Sequence, residues 1–166
     1  MRKWLESDYE PFIALNADAD VMQFFPNTLS REETLAQIGR IGTHFEKYGF
    51  GLFAIERKDN GQFIGFTGLA HVNFESHFTP CVEIGWRLSK PNWGQGFATE
   101  AAKACVEYGF YKLDLKEIYS FTSFHNKRSE KLMKKIGMSK EGEFDHPLLV
   151  KGSFLERHVL YKLTAP

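Results

Sequence analysis

The sequence predicts an α/β fold on a mixed, mostly antiparallel sheet with about four helices, and three observations predict it. The apolar run Cys81 to Leu88 passes through a glycine turn into an alanine-rich stretch from Phe97 to about Tyr111, and Lys116 to Phe124 returns as a strand. A strand, helix and returning strand make a right-handed βαβ unit, whose two strands are parallel. Upstream, Gly51 to Arg57 and Gln62 to Phe74 flank Asp59-Asn60-Gly61, whose Asn-Gly suits the positive φ angles of a tight hairpin. Finally, Ser30-Arg31-Glu32-Glu33 is a capping box, and Leu35, Ile38, Ile41, Phe45 and Tyr48 recur at helical spacing behind it.

Taken in order, Asp8 is placed to cap a helix from about Tyr9 to Ala17, with Phe12, Ile13 and Leu15 as its apolar contacts. Phe24-Phe25-Pro26 breaks that helix, and the capping box begins the next, which runs to about Tyr48. Glu75 to Pro80 is a loop before the central strand. After the βαβ unit, Asn126 to Ile136 reads as a helix closed by Gly137, and Met138 to Phe144 and Phe154 to Leu163 are the last strands. His71 and His77 lack a metal-site spacing and read as structural or exposed histidines, and no metal is expected.

Composition narrows the classes. With 166 residues, 43% of them hydrophobic and 15% aromatic, the chain is expected to form a single domain over 1–166 rather than a disordered segment. Lys plus Arg and Asp plus Glu number 21 each, so net charge points to neither nucleic acid nor an anionic membrane. The two cysteines, Cys81 and Cys105, have no metal or disulfide spacing and read as thiols of a reducing compartment. No signal-peptide core or bilayer-length apolar run is present, so a cytoplasmic location is expected.

Chemistry concentrates at Pro91-Asn92-Trp93-Gly94-Gln95-Gly96-Phe97-Ala98-Thr99. Gly94 and Gly96 allow strained dihedrals and close approach of a ligand, and the helix start beyond them offers free N–H groups to a phosphate. The same pair could do no more than make a tight turn. A Walker loop is missing, and Thr99 stands where a dinucleotide motif has its last glycine. Glu83 is a carboxyl inside an otherwise apolar strand, which suits a general base or an ion pair, with Arg87 or another cation as partner.

These stretches together resemble the GCN5-related N-acetyltransferase (GNAT) superfamily. The family's pyrophosphate signature is Gln/Arg-x-x-Gly-x-Gly/Ala, and Trp93-Gly94-Gln95-Gly96-Phe97-Ala98 matches it except that Trp93 replaces the Gln or Arg. The Trp-Gly-x-Gly-x-Ala-Thr-Glu-Ala form, Val82-Glu83-Ile84-Gly85-Trp86, Asn126 with Ser129, and the closing His158-Val159-Leu160-Tyr161 are similar to the branch of ribosomal-protein alanine acetyltransferases. The family's first strand would fall at Met1 to Leu5, which is too short for it, so that element is expected to start late or be truncated.

The resemblance implies two central strands that splay, with acetyl-coenzyme A in the wedge between them. Its pantetheine arm would lie against Trp86, Arg87 and Leu88, its pyrophosphate on the amides of Trp93 to Ala98 next to Thr99, and its thioester near Asn126 and Ser129. Phe24 and Phe25 fall where the family walls its acceptor pocket, and they read equally well as core packing. Many members protonate the thiolate with a Tyr at the position Met133 holds here; the ribosomal-protein branch has a serine near the sulfur, and Ser129 occupies that place, where it could also simply cap the helix. The implied activity is acetyl transfer to a primary amine by direct attack, with Glu83 as base. The acceptor is expected to be a protein N-terminal α-amine, or else a polyamine, amino acid or antibiotic amine. Partners are thus acetyl-coenzyme A and an amine, in a monomer or homodimer. A non-catalytic acetyl-coenzyme A module is the competing class.

Overall fold

In a computed structural model describing residues 1–166, the expected hairpin forms between β1 (Leu52–Glu56) and β2 (Phe63–Val72). Its turn departs from the tight type. Only Gly61 takes a positive φ, at 71°, and the Gly61 amide donates to the Arg57 carbonyl at 2.9 Å. Residues 58–60 make the turn, so one left-handed residue suffices to reverse the chain and Asn60 needs no unusual angle.

β3 (Cys81–Leu88) pairs antiparallel with β2 along its whole length. β4 (Glu117–Ser123), β5 (Ser139–Asp145) and β6 (Arg157–Thr164) complete a six-stranded sheet of order β1-β2-β3-β4-β6-β5. Only the β3–β4 neighbours are parallel, and their register holds at the single pair Glu83–Tyr119. Beyond it the strands part. At the fork, the Ser120 hydroxyl donates to the Ile84 carbonyl at 2.9 Å, a side chain standing in for the missing ladder bond.

Strand alternation divides the helices between the two faces. α3 (Phe97–Tyr111) and α4 (Lys127–Lys135) cover the face of Leu69, Val82, Ile84 and Ile118, with Ala102, Cys105, Met133 and Ile136 in the same core. Gly109 lets α3 lie close, because a Cβ there would be 2.8 Å from Ile118 Cδ1. α1 (Tyr9–Ala17) and α2 (Arg31–Tyr48) cover the opposite face, packing Phe12, Leu15 and Ile38 on Phe63 and Phe66.

The capping box of α2 forms, with the Glu33 amide donating to Ser30 Oγ at 3.2 Å and the Ser30 amide to Glu33 Oε2 at 2.7 Å. Leu35, on the apolar spacing, is nonetheless 37% exposed, and the buried position of that turn is Thr34. Asp8 does not cap α1. Its carboxylate accepts the Leu5 amide at 2.8 Å and both Arg2 Nη atoms, at 2.6 and 2.8 Å, because a buried carboxylate gains more from a guanidinium than from helix amides alone. Met1 to Leu5 supplies one antiparallel bridge, Arg2 to Ala54, in place of a full strand. α4 starts and ends as its sequence suggests: Asn126 Oδ1 accepts the Ser129 amide at 3.2 Å, and Gly137 turns the chain with φ 92°.

Candidate active site

A cavity of about 760 Å³ occupies the fork between β3 and β4. Since the Ile84 carbonyl points towards β4, alternation turns the main-chain groups of Trp86 and Leu88 to the same side, where β4 has withdrawn. The Leu88 carbonyl is taken by Trp93 Nε1 at 2.7 Å, which leaves Trp86 to present its main chain to the cavity.

The floor at the α3 end is main chain. Gly94 and Gly96 have φ of 74° and 90°, and a Cβ at either would meet nothing within 4 Å, so both face open space. Gly96 precedes the first turn of α3, whose unpaired amides form a cradle for an anion. Three cations on one side of α4, Arg128, Lys131 and Lys135, line the cavity, and the Arg128 guanidinium lies 3.9 Å over the Trp93 ring beside the cradle. A guanidinium is thereby brought to the place where Trp93 replaces the usual Gln or Arg. Open glycines, helix amides and cations together fit a pyrophosphate.

Phe97, Ala98 and Thr99 line the same end. Gln95 does not. Its side chain folds back so that Nε2 donates to the Pro91 carbonyl at 2.8 Å, fixing the loop from outside the cavity.

Midway along the cavity, Trp86 Nε1 donates to Ser129 Oγ at 3.3 Å. An indole N–H can only donate, so the serine's own proton remains free to point elsewhere. Asn126 is committed to structure on both sides of its amide: Oδ1 holds the Ser129 amide and Nδ2 donates to Thr122 Oγ1 at 3.0 Å. Met133 is 1% exposed in the core beneath, and no hydroxyl stands in its place.

The opposite end of the cavity lies on the α1 face, where Glu83 and Arg87 both point. The Glu83 carboxyl has no hydrogen bond and no ion pair, so the alternative reading of an ion pair with Arg87 or another cation does not hold. Burial without compensation pushes its pKa up to about 8. Arg87 instead donates through Nη1 to Asn16 Oδ1 at 2.6 Å and lies 4.2 Å from the Phe25 ring centre. Its side chain is therefore on the face away from Trp86 and Leu88, and its main chain is turned to Phe66 of β2. Phe24 and Phe25 line this end, Phe24 half-buried and Phe25 40% exposed. His146 and His158, with rings 5.0 Å apart, close it; burial pulls His158 down to about 4, so it is neutral near pH 7. No group of three His, Cys, Asp or Glu side chains is arranged to hold a metal.

The sequence reading missed Arg128, Lys131, Lys135, Asn16 and the two histidines. The first three were findable, since the intervals of three and four residues between them, in the helix that follows Asn126, mark one side of that helix.

A family model described as "Acetyltransferase (GNAT) domain" matches residues 1–139. The ribosomal protein uS5 alanine N-acetyltransferase of Escherichia coli is 32% identical over 79% of this chain and 66% of its own length. The spermidine N(1)-acetyltransferase of the same species is 27% identical over 93% and 68%. Among solved structures, a GNAT-family acetyltransferase from Bacillus anthracis superposes with a TM-score of 0.81 at 26% identity, covering 98% of this chain and 92% of that one.

Proposed function

The chain belongs to the GNAT acetyltransferase family, and we propose that it acetylates an α-amine, with Glu83 as the general base and Ser129 as the donor to the departing sulfur. Family membership makes it an acetyl-coenzyme A-dependent N-acetyltransferase; the base, the donor and the acceptor are our reading. One observation carries it: a lone carboxyl, unpaired and raised to about 8, at the fork where the strands part.

Acetyl-coenzyme A supplies a thioester. The main chain from Trp93 to Ala98, with Arg128, Lys131 and Lys135, would hold its phosphates, and the open side of Trp86 would pair with its pantetheine arm. The Trp86 amide could also donate to the carbonyl oxygen as charge develops there. Glu83, directly or through a water, takes the proton that the amine nitrogen loses as it bonds to the acetyl carbon. The C–S bond breaks, its electron pair leaves on sulfur, and Ser129 turns its free proton towards that sulfur.

A base with a pKa of about 8 matches an α-amine better than a lysine side chain, since the former titrates at about 7.7 to 8.0 and the latter near about 10.4. Polyamines, which the name of one relative gives as substrate, find less support. Only two carboxyls line the cavity, and Asp20 is already bound to Lys90 at 2.5 Å. The free thiols Cys81 and Cys105 favour the cytoplasm as the site of action. Thiol release from acetyl-coenzyme A, measured with peptides, lysine-blocked peptides and spermidine, tests the reading. α-Amines should give the highest kcat/KM, and a preference for spermidine would overturn the acceptor class.

A further inference from the structure

Besides the Glu83 carboxyl, the α1 end of the cavity holds a second polar group that nothing in the protein satisfies. Of all fully buried side-chain nitrogens and oxygens, only Arg87 Nε has no hydrogen-bond partner. The guanidinium has no carboxylate within ion-pair distance either. Two acids share its cavity: Asp20 is engaged by Lys90, and Glu83 lies four residues back on the same face of β3, about 13 Å away along the strand. Burial lowers the Arg87 pKa to about 10, still well above neutrality, so the group stays charged.

The surroundings hold this cation in place without neutralising it. Asn16, fully buried, donates from Nδ2 to Thr34 Oγ1 at 3.2 Å and to Gln37 Oε1 at 3.1 Å, which leaves its oxygen to orient Arg87 Nη1. Phe25 and Phe66 flank the guanidinium at 4.2 and 5.4 Å. A charge withdrawn from water without a counter-ion is costly, and a fixed planar fork is suited to a carboxylate.

We infer that Arg87 receives a carboxylate carried by the acceptor, so that the substrate is an amine with a carboxylate a few bonds away. This inference rests on the acetyl-transfer reading. With the carboxylate on Arg87 and the amine reaching Glu83 through a bridging water, which covers the rest of the ~13 Å between the two residues, both charged side chains on the α1 face of β3 are used. Polycations are rejected by the same charge. The carboxylate has two possible sources, the α-carboxylate of a free amino acid or an acidic side chain at a peptide N-terminus.

The test compares matched acids and amides on the full-length chain: alanine against alaninamide, and a tripeptide starting with Asp against its Asn counterpart. Thiol release reports turnover. Calorimetry on the chain loaded with coenzyme A reports binding of the corresponding N-acetyl products, which needs no catalysis. The acid of at least one pair should exceed its amide about 10- to 100-fold in kcat/KM and in product affinity, as a charge-assisted hydrogen bond implies. The responding pair identifies the source. Arg87→Met should bring the ratio to about one, and Arg87→Lys, which keeps the charge without the fork, should restore part of it and decides the matter if the Met variant does not fold. Equal use and equal binding of acid and amide in both pairs, or an unchanged ratio in Arg87→Met, would overturn the inference while leaving acetyl transfer intact. Acid-selective product binding without turnover of any amine would uphold Arg87 and contradict the transfer reading instead.

Discussion

On the α3 side of β3 the floor of the cavity is main chain from one contiguous stretch, Trp93 to Ala98, whereas on the α1 side it is assembled from Phe25, Glu83, His146 and Arg87, the last held from behind by Asn16, side chains far apart in sequence. A main-chain cradle asks for open space and helix amides, which many sequences provide if glycines stand in the right places. A side-chain wall depends on charge, and there the chain leaves Glu83 and Arg87 unneutralised. The contrast suggests that the cradle serves a ligand common to many relatives and the wall serves a particular acceptor.

Substitutions on the two sides should therefore fail in different ways. Glu83→Gln should give the largest effect, a loss of about 10² to 10⁴-fold in kcat near neutral pH with acetyl-coenzyme A affinity unchanged. Steady-state kinetics beside calorimetry would check this, and a comparable loss of cofactor affinity would merge the two sides into one. Gly96→Val should do the reverse, weakening acetyl-coenzyme A binding by on the order of 10²-fold or more, since several charge-assisted bonds are lost together. A valine at φ 90° costs about 1 to 2 kcal/mol, so its melting temperature should fall by several degrees while the chain stays folded.

Smaller effects sharpen the division. Arg128→Ala removes an exposed cation over Trp93 and should weaken cofactor binding by about 5- to 10-fold, with the deficit shrinking at high salt. Ser129→Ala should lower turnover by only about 10-fold or less, because a thiol's own pKa of about 8.5 lets its thiolate leave near neutral pH with modest help. Single-turnover rates are the readout, since product release would mask so small a change. Full activity in Ser129→Ala would reduce the hydroxyl to its bond with Trp86.

The same division explains what could be read from the sequence. The cradle was legible because its residues are neighbours, and the order of strands and helices followed from alternation and capping signals that act locally. The family resemblance sets the pantetheine arm against Arg87 together with its sequence neighbours Trp86 and Leu88. Strand parity, which sets Glu83 and Arg87 against Ile84, Trp86 and Leu88, assigns Arg87 to the other face and was available all along. Asn16 could not be found this way. A polar residue on the inner side of α1 looks like an interruption of the apolar pattern until Thr34, Gln37 and Arg87 are brought to it from other elements. Asp8 misled for a similar reason, because its Arg2 partner is joined to it through the tertiary bridge to β1.

The central claim is that Glu83 accepts the amine's proton, and its raised pKa gives the claim a pH signature. A carboxyl that titrates near about 8 is mostly protonated at pH 6 and ionised at pH 9, so kcat of the native chain should rise through that range and then level. In Glu83→Gln this limb should vanish, and turnover should instead follow the free amine, so that with an acceptor titrating at about 10.4 the deficit holds below pH 8 and narrows as pH climbs towards the amine's own pKa. The decisive measurement is the ratio of native to Glu83→Gln kcat from pH 6 to about 10.5 with one lysine-type amine acceptor, which titrates at about 10.4, well above Glu83. A ratio that is largest near neutrality and shrinks steadily above pH 8 is the predicted result, and a ratio independent of pH would contradict the account by making Glu83 a positioning group.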